Sequence, residues 1–146
     1  MEIRKMLISD YGEVYALWMS CAGMGLNNLD DSEEGIDKFL KRNPDTCFVA
    51  VDNSSVIGVI LAGNDGRRGY IYHTAVSIEY RKQGVAAKLV EKAVRALTDC
   101  GINKIGLVVF DRNINGNIFW EKMGFTVRDD LVYRNKAINE MVRTDT

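Results

Sequence analysis

A long amphipathic helix framed by two strand-like runs is what most restricts the fold of this chain. From Gly84 to Cys100 the apolar residues Ala86, Leu89, Val90, Ala93 and Leu97 recur at helical spacing, with Lys88, Glu91, Lys92, Arg95 and Asp99 between them. Gly101 follows as a C-terminal stop. Gly69 to Ile78 before the helix reads as a strand, and Lys104 to Phe110 after it as a buried strand. A strand, crossover helix and strand of this kind make the two strands parallel neighbours in one sheet.

The residues upstream predict different neighbours. Thr46 to Val51 and Val56 to Ala62 are rich in β-branched and apolar residues, with Asp52-Asn53-Ser54 as the turn between them. With Gly69 to Ile78 they predict an antiparallel meander. Glu2 to Leu7 is a further strand, Asp10 to Cys21 a helix through Val14, Tyr15, Leu17 and Trp18, and Ile36, Phe39 and Leu40 the buried stripe of another. Asp31 or Ser32 caps that second helix, with Glu34 placed for a capping box with Asp31. Asn115 to Met123 predicts a short helix, and Phe125 to Val127 and Leu131 to Arg134 final strands. The expected fold is therefore α/β (α+β), a mixed and mostly antiparallel sheet flanked by helices. With one proline and no linker or repeat, residues 1–146 read as a single domain.

Composition removes several function classes. A net charge of -1 gives no electrostatic case for nucleic acid or an anionic membrane surface. No apolar run reaches the roughly 20 residues of a membrane span, and MEIRKMLISD lacks an apolar signal core. Cys21, Cys47 and Cys100 are odd in number and far apart, which argues against a disulfide framework or a metal site and for a cytoplasmic protein.

The chemistry concentrates where the long helix begins. Arg81-Lys82-Gln83-Gly84-Val85-Ala86 places two cations and a glycine at a helix N-terminus. Unpaired amides and the positive end of the helix dipole make such a turn an anion site, and Gly84 lets an anion approach the backbone. The turn is neither a Walker loop nor a dinucleotide-binding glycine fingerprint. About thirty residues on comes Asn113-Ile-Asn-Gly-Asn-Ile-Phe-Trp-Glu-Lys-Met-Gly-Phe125. The two stretches together resemble the acetyl-CoA motifs of the GNAT superfamily of N-acetyltransferases. Arg81, Gly84 and Ala86 match its pyrophosphate loop, and Asn113, Phe119, Gly124 and Phe125 its second motif, with Gly116 where alanine is usual. The order of elements matches along essentially the whole chain.

The resemblance implies a GNAT-like sheet splayed at the strand ending near Val76 and acetyl-CoA as cosubstrate, with no metal. It implies that the amides of Lys82, Gln83, Gly84, Val85, Ala86 and Ala87 hold the pyrophosphate, and that Thr74, Ala75 and Val76 bind the pantetheine arm, an amide among them facing the thioester oxyanion. It implies side-chain contacts to the pantetheine from Asn113 and from Asn115 or Asn117, although Asn113 or Asn115 equally suits a helix cap. The acceptor is a primary amine, on a small molecule or a peptide, acetylated directly in a ternary complex. Dimers are common among such proteins, and a strand near the C-terminus suits a homodimer.

Two departures leave the catalytic groups open. The glutamate that many relatives carry on the strand before the loop, or on the strand after the helix, is missing; Tyr70, Tyr72 and His73 stand in the first place and Gly106 to Phe110 in the second. A lysine-like amine, with a pKa of about 10.4, must lose a proton before it attacks. His73, the only histidine, suits a base near neutrality, and Tyr72 suits the ordering of a water; both also suit packing in the sheet. Trp120 stands where relatives have the tyrosine that protonates the departing sulfur, and an indole N–H is no usable acid. Trp120 is accordingly expected to pack against the CoA arm or the core. The alternative is a CoA-binding sensor with little or no catalysis.

Overall fold

The computed structural model describes residues 1–145. Five strands form one open sheet in the order β1-β2-β3-β4-β5: β1 Glu2–Lys5, β2 Phe48–Asp52, β3 Ser55–Asn64, β4 Gly69–Val76 and β5 Ile105–Gly106. Every neighbouring pair is antiparallel except β4 and β5, which the crossover makes parallel. The helices are α1 Tyr11–Ser20, α2 Glu33–Arg42, α3 Val85–Asp99 and α4 Ile114–Lys122. The mixed, mostly antiparallel sheet flanked by helices is thus the one expected.

Two apolar layers sandwich the sheet. On one face Val85, Leu89, Val90, Ala93 and Leu97 of α3 pack against Phe48, Ala50, Ile57, Ile60 and Ile71. On the other, Val14, Leu17 and Trp18 of α1 and Ile36 and Leu40 of α2 pack against Val49, Val59, Leu61 and Ala75. Truncating a fully buried side chain here, such as Leu89, costs about 2–5 kcal/mol.

The sequence reading fails in the C-terminal third. Lys104 to Phe110 was expected to be one strand, yet only Ile105–Gly106 pairs with β4. Phe125 to Val127 and Leu131 to Arg134 form no strand, and Val127, Leu131, Val132 and Tyr133 are exposed. Their composition carries β-propensity, but a strand needs a hydrogen-bonded neighbour, and none lies beside them among the described residues. Farther on, the chain is tied down again: Asn27 and Arg143 form a β-bridge, Asn28 donates its amide to the Val142 carbonyl, and the Asp145 carboxylate accepts the amides of Gly25 and Leu26.

The cap of α2 also differs. Ser32 is the N-cap and accepts the Gly35 amide at 3.0 Å, so the expected Asp31–Glu34 box does not form. Asp31 is instead buried and turned toward the sheet.

Candidate active site

Strands β4 and β5 part after two residue pairs, Gly69 with Ile105 and Tyr70 with Gly106. From Ile71 to Val76, β4 keeps its ladder to β3 but receives no partner from β5, leaving the fork expected near Val76. Backbone groups along a strand edge of this kind can pair with an extended ligand.

At the mouth of the fork the chain turns into α3. Lys82 and Gly84 both adopt left-handed backbone conformations, with φ of 62° and 79°. Gly84 is the N-cap of α3 and supplies no side-chain acceptor to the first amides of the helix. A Cβ at Gly84 would meet nothing within 4 Å, so the space over those amides is open. Two side chains of the turn bond elsewhere. Arg81 Nε donates to the Val76 carbonyl at 3.1 Å and its Nη2 reaches Cys21 Sγ at 3.5 Å, while Gln83 Nε2 donates to the Glu79 carbonyl. Arg81 therefore fastens the turn to the end of β4, a role the basic composition of the turn did not reveal.

A bulge in β4 builds the other side of the site. Ile60 pairs with Thr74 and Ala62 with Ile71, so Tyr72 and His73 together oppose the single residue Leu61. The extra residue sends both side chains to the α1/α2 face. Tyr72 meets the Phe39 ring edge-on at 5.6 Å, and His73 meets Trp18 at 5.1 Å. His73 Nε2 lies 2.8 Å from Asp31 Oδ1. The pair is secluded, with side chains 16% and 6% exposed. Asp31 is itself fixed: its Oδ2 accepts the Asn27 amide at 2.8 Å, and its carbonyl accepts the Tyr11 hydroxyl at 2.7 Å. The carboxylate holds one ring nitrogen and thereby sets the tautomer and orientation of the imidazole. The sequence offered Asp31 as a helix cap but not as the partner of His73, because nothing local in the loop distinguishes it from its acidic neighbours. Trp18 Nε1 is buried in the same layer and has no hydrogen-bond partner among the described residues.

Burial is the main cause raising the phenol pKa values of Tyr70 and Tyr72 above the ordinary tyrosine value. Tyr72, about half exposed, is thus a neutral donor near pH 7 rather than a base. No cysteine pairs with His73. Cys21 lies by Arg81, and buried Cys47 donates to the Ala62 carbonyl, with burial pushing its thiol pKa up to about 12.

The second motif lies at the start of α4. Asn113 is the N-cap, accepting the Gly116 amide at 2.9 Å, and Asn117 Nδ2 donates to the carbonyls of Phe110 and Asn113. Both asparagines serve the backbone of their own junction, the capping alternative for Asn113. A Cβ at residue 116 would crowd the Asn113 side chain, which would have to shift from its capping position. Trp120 stands between Phe119 and Phe125, with ring centroids 5.0 and 5.2 Å away, and packs on the α3 side of the core.

An open mixed sheet forked beside a helix N-terminus defines an acetyltransferase architecture, and the comparisons agree. Residues 11–125 match the Acetyltransferase (GNAT) family model, and the chain belongs to that family. It is 33% identical over 140 residues to Acetyltransferase SG1711 of Sodalis glossinidius (strain morsitans), covering 96% of this chain and 97% of the relative. The structure of AAC(6')-Iy in complex with a bisubstrate analog, CoA-S-monomethyl-acetylneamine, superposes with a TM-score of 0.74 at 18% identity, over 93% of this chain and 97% of that one. A chain of the NatC complex bound to Gag peptide and CoA superposes at 0.70 with 28% identity, over 84% of each. The protein is an N-acetyltransferase of the GNAT family.

Proposed function

We propose that this enzyme moves the acetyl group of acetyl-CoA directly to a primary amine within a ternary complex. The observation that carries the reading is the fork between β4 and β5, with the open amides of α3 at its mouth and the His73–Asp31 pair on its flank. The two solved structures support a two-substrate reading, since AAC(6')-Iy was captured with the bisubstrate analog CoA-S-monomethyl-acetylneamine and NatC with a peptide and CoA.

The loop amides of Lys82, Gln83, Gly84, Val85, Ala86 and Ala87 hold the pyrophosphate through hydrogen bonds and the dipole of α3. The edge of Thr74, Ala75 and Val76 that β5 leaves unpaired takes the pantetheine arm, with the Val76 carbonyl held by Arg81, and one of its amides stabilises charge on the thioester oxygen. Asn113 and Asn117 shape the opposite wall, and Trp120 supports it by packing. The acceptor nitrogen forms a bond to the acetyl carbon as the carbon–sulfur bond breaks and the sulfur leaves as thiolate. A thiol pKa of about 8.5 makes this leaving group tolerable without a tuned acid. Before the attack His73 takes one proton from the ammonium, directly or through a water ordered by Tyr72, and Asp31 steadies the resulting imidazolium; the second N–H proton ends on the departed thiolate. The reading includes a homodimer joined through the exposed segment containing Leu131, Val132 and Tyr133, which light scattering of the purified protein checks.

The test is free-thiol release from acetyl-CoA across a panel of polyamines, aminoglycosides, amino acids and short peptides, with hydrolysis subtracted. Amine-dependent release is expected. Its absence across the panel, with acetyl-CoA still bound, would leave a CoA-binding module in place of an enzyme.

A further inference from the structure

A concavity of about 460 Å³ lies between α2 and the β3–β4 hairpin, with Tyr72 in its lining. Phe39, Tyr70 and Tyr72 give it aromatic walls, and Arg42 and Arg68 line it with charge. Its one carboxylate, Asp65, is already engaged, accepting the backbone amides of Arg67 and Arg68 at 2.8 Å each. Neither Arg42 nor Arg68 forms an ion pair with a carboxylate among the described residues. Two guanidinium groups beside aromatic rings favour an anion with planar or multiple oxygens. Tyr72 joins this concavity to the site already described, since it lines the one and precedes His73 in the other. Asp31 Oδ1 lies 2.8 Å from His73 and Asp30 helps raise the Tyr72 phenol pKa, so carboxylates gather on the His73 side while Arg42 and Arg68 line the concavity.

The polarity matches a ligand with an amine at one end and an anion at the other. Gly69, Tyr70 and Tyr72 line the concavity along β4, so its strand floor begins at the residue next to His73. An extended dipeptide or tripeptide separates its amine from its carboxylate by about 7–10 Å, enough to reach from beside His73 into the concavity. A ligand carrying only cationic groups would place one of them against Arg42 and Arg68.

We propose that the acceptor is a small amine bearing a carboxylate or phosphate at its other end, with Arg42 and Arg68 as its anion subsite. The proposal rests on the amine-acetylation reading above and adds the substrate's second charge. In the test, glycine, diglycine, triglycine and tetraglycine are compared with their C-terminal amides, and an aminoalkyl phosphate of matching length is included. Thiol release and calorimetric binding in the presence of CoA are both measured, for the wild type and for R42A, R68A and R42A/R68A.

Diglycine or triglycine is expected to bind at least about 10-fold more tightly than its amide, with the preference lost in the double variant. Stronger use of the aminoalkyl phosphate would assign the subsite to phosphate, and the reverse to carboxylate. Equal binding of acid and amide forms in the wild type, or a preference that survives R42A/R68A, would overturn the subsite while leaving amine acetylation standing. An arginine-dependent charge preference in binding, without thiol release from any acceptor, would uphold the subsite and sink the transfer reading. Both arginines are exposed, so their replacement leaves the core intact.

Discussion

His73 Nε2 sits 2.8 Å from Asp31 Oδ1, joining β4 to the loop before α2 across 42 residues of sequence. If His73 is the base, His73→Ala loses about 10²–10⁴-fold in kcat/KM with acetyl-CoA affinity nearly intact. Asp31→Asn is a positioning change and lowers kcat by at least about 10-fold, leaving the Kd for acetyl-CoA unchanged. Steady-state kinetics and calorimetry on the same preparations check both. A folded His73→Ala protein with near-normal turnover would make the histidine structural.

Gly84→Asp places a carboxylate over the open amides of α3 and is expected to abolish measurable acetyl-CoA binding. Gly84→Asn is the control, because asparagine tolerates the left-handed backbone at φ 79° and adds no charge. Calorimetry should find Asn weaker than glycine but at least about 10-fold tighter than Asp. Equal affinities for the two variants would remove charge from the account of the cradle.

Packing, not proton transfer, is the role expected of Trp120 between Phe119 and Phe125. Trp120→Phe keeps an aromatic ring in that slot, so it should retain most of kcat and cost about 1 kcal/mol of stability. A kcat loss beyond about 100-fold in a well-folded variant, with unchanged acetyl-CoA affinity, would put the indole N–H into the chemistry.

Acid should weaken the fold partly through Asp10. Its carboxylate accepts two hydrogen bonds from Arg4, at 2.8 and 2.9 Å, and the Leu7 amide at 2.8 Å. These contacts, Arg4 first, hold its pKa below the ordinary carboxylate value despite the opposing effect of burial. The unfolded chain therefore binds a proton in acid before the native one does. The stabilisation is fully present above about pH 4 and disappears as the pH falls through the lowered native value. Asp10→Asn should cost about 1 kcal/mol at pH 7, a modest figure because Arg4 is partly exposed, and the difference from wild type should narrow below pH 4. Urea denaturation at pH 7 and pH 3 would reveal a constant gap if the depressed carboxylate plays no part.

Elements with a strong period were legible from the sequence. The apolar stripe of α3 and the glycine beginning it lie within a residue of their expected limits, since one contiguous segment carries the signal. The bulge was not legible. Strict alternation puts Tyr72 and His73 on opposite faces, and only the register against Leu61 returns His73 to the side of Tyr72. The role of Asp31 was hidden for a related reason, because its partner lies on another element, 42 residues away in sequence. Phe125–Val127 and Leu131–Arg134 show the converse, local strand propensity without a neighbour to use it.

The Asp145 carboxylate holds the amides of Gly25 and Leu26 across 120 and 119 residues of chain, and the Asn27 amide next to them secures Asp31. Contacts of such sequence separation close the largest loops and carry the greatest entropic delay in folding. During synthesis the sheet and α3 have their partners long before residues 142–145 leave the ribosome. The loop that carries Asp31 toward His73 gains its last anchors only then, so the acceptor side of the enzyme is finished after the scaffold that supports it.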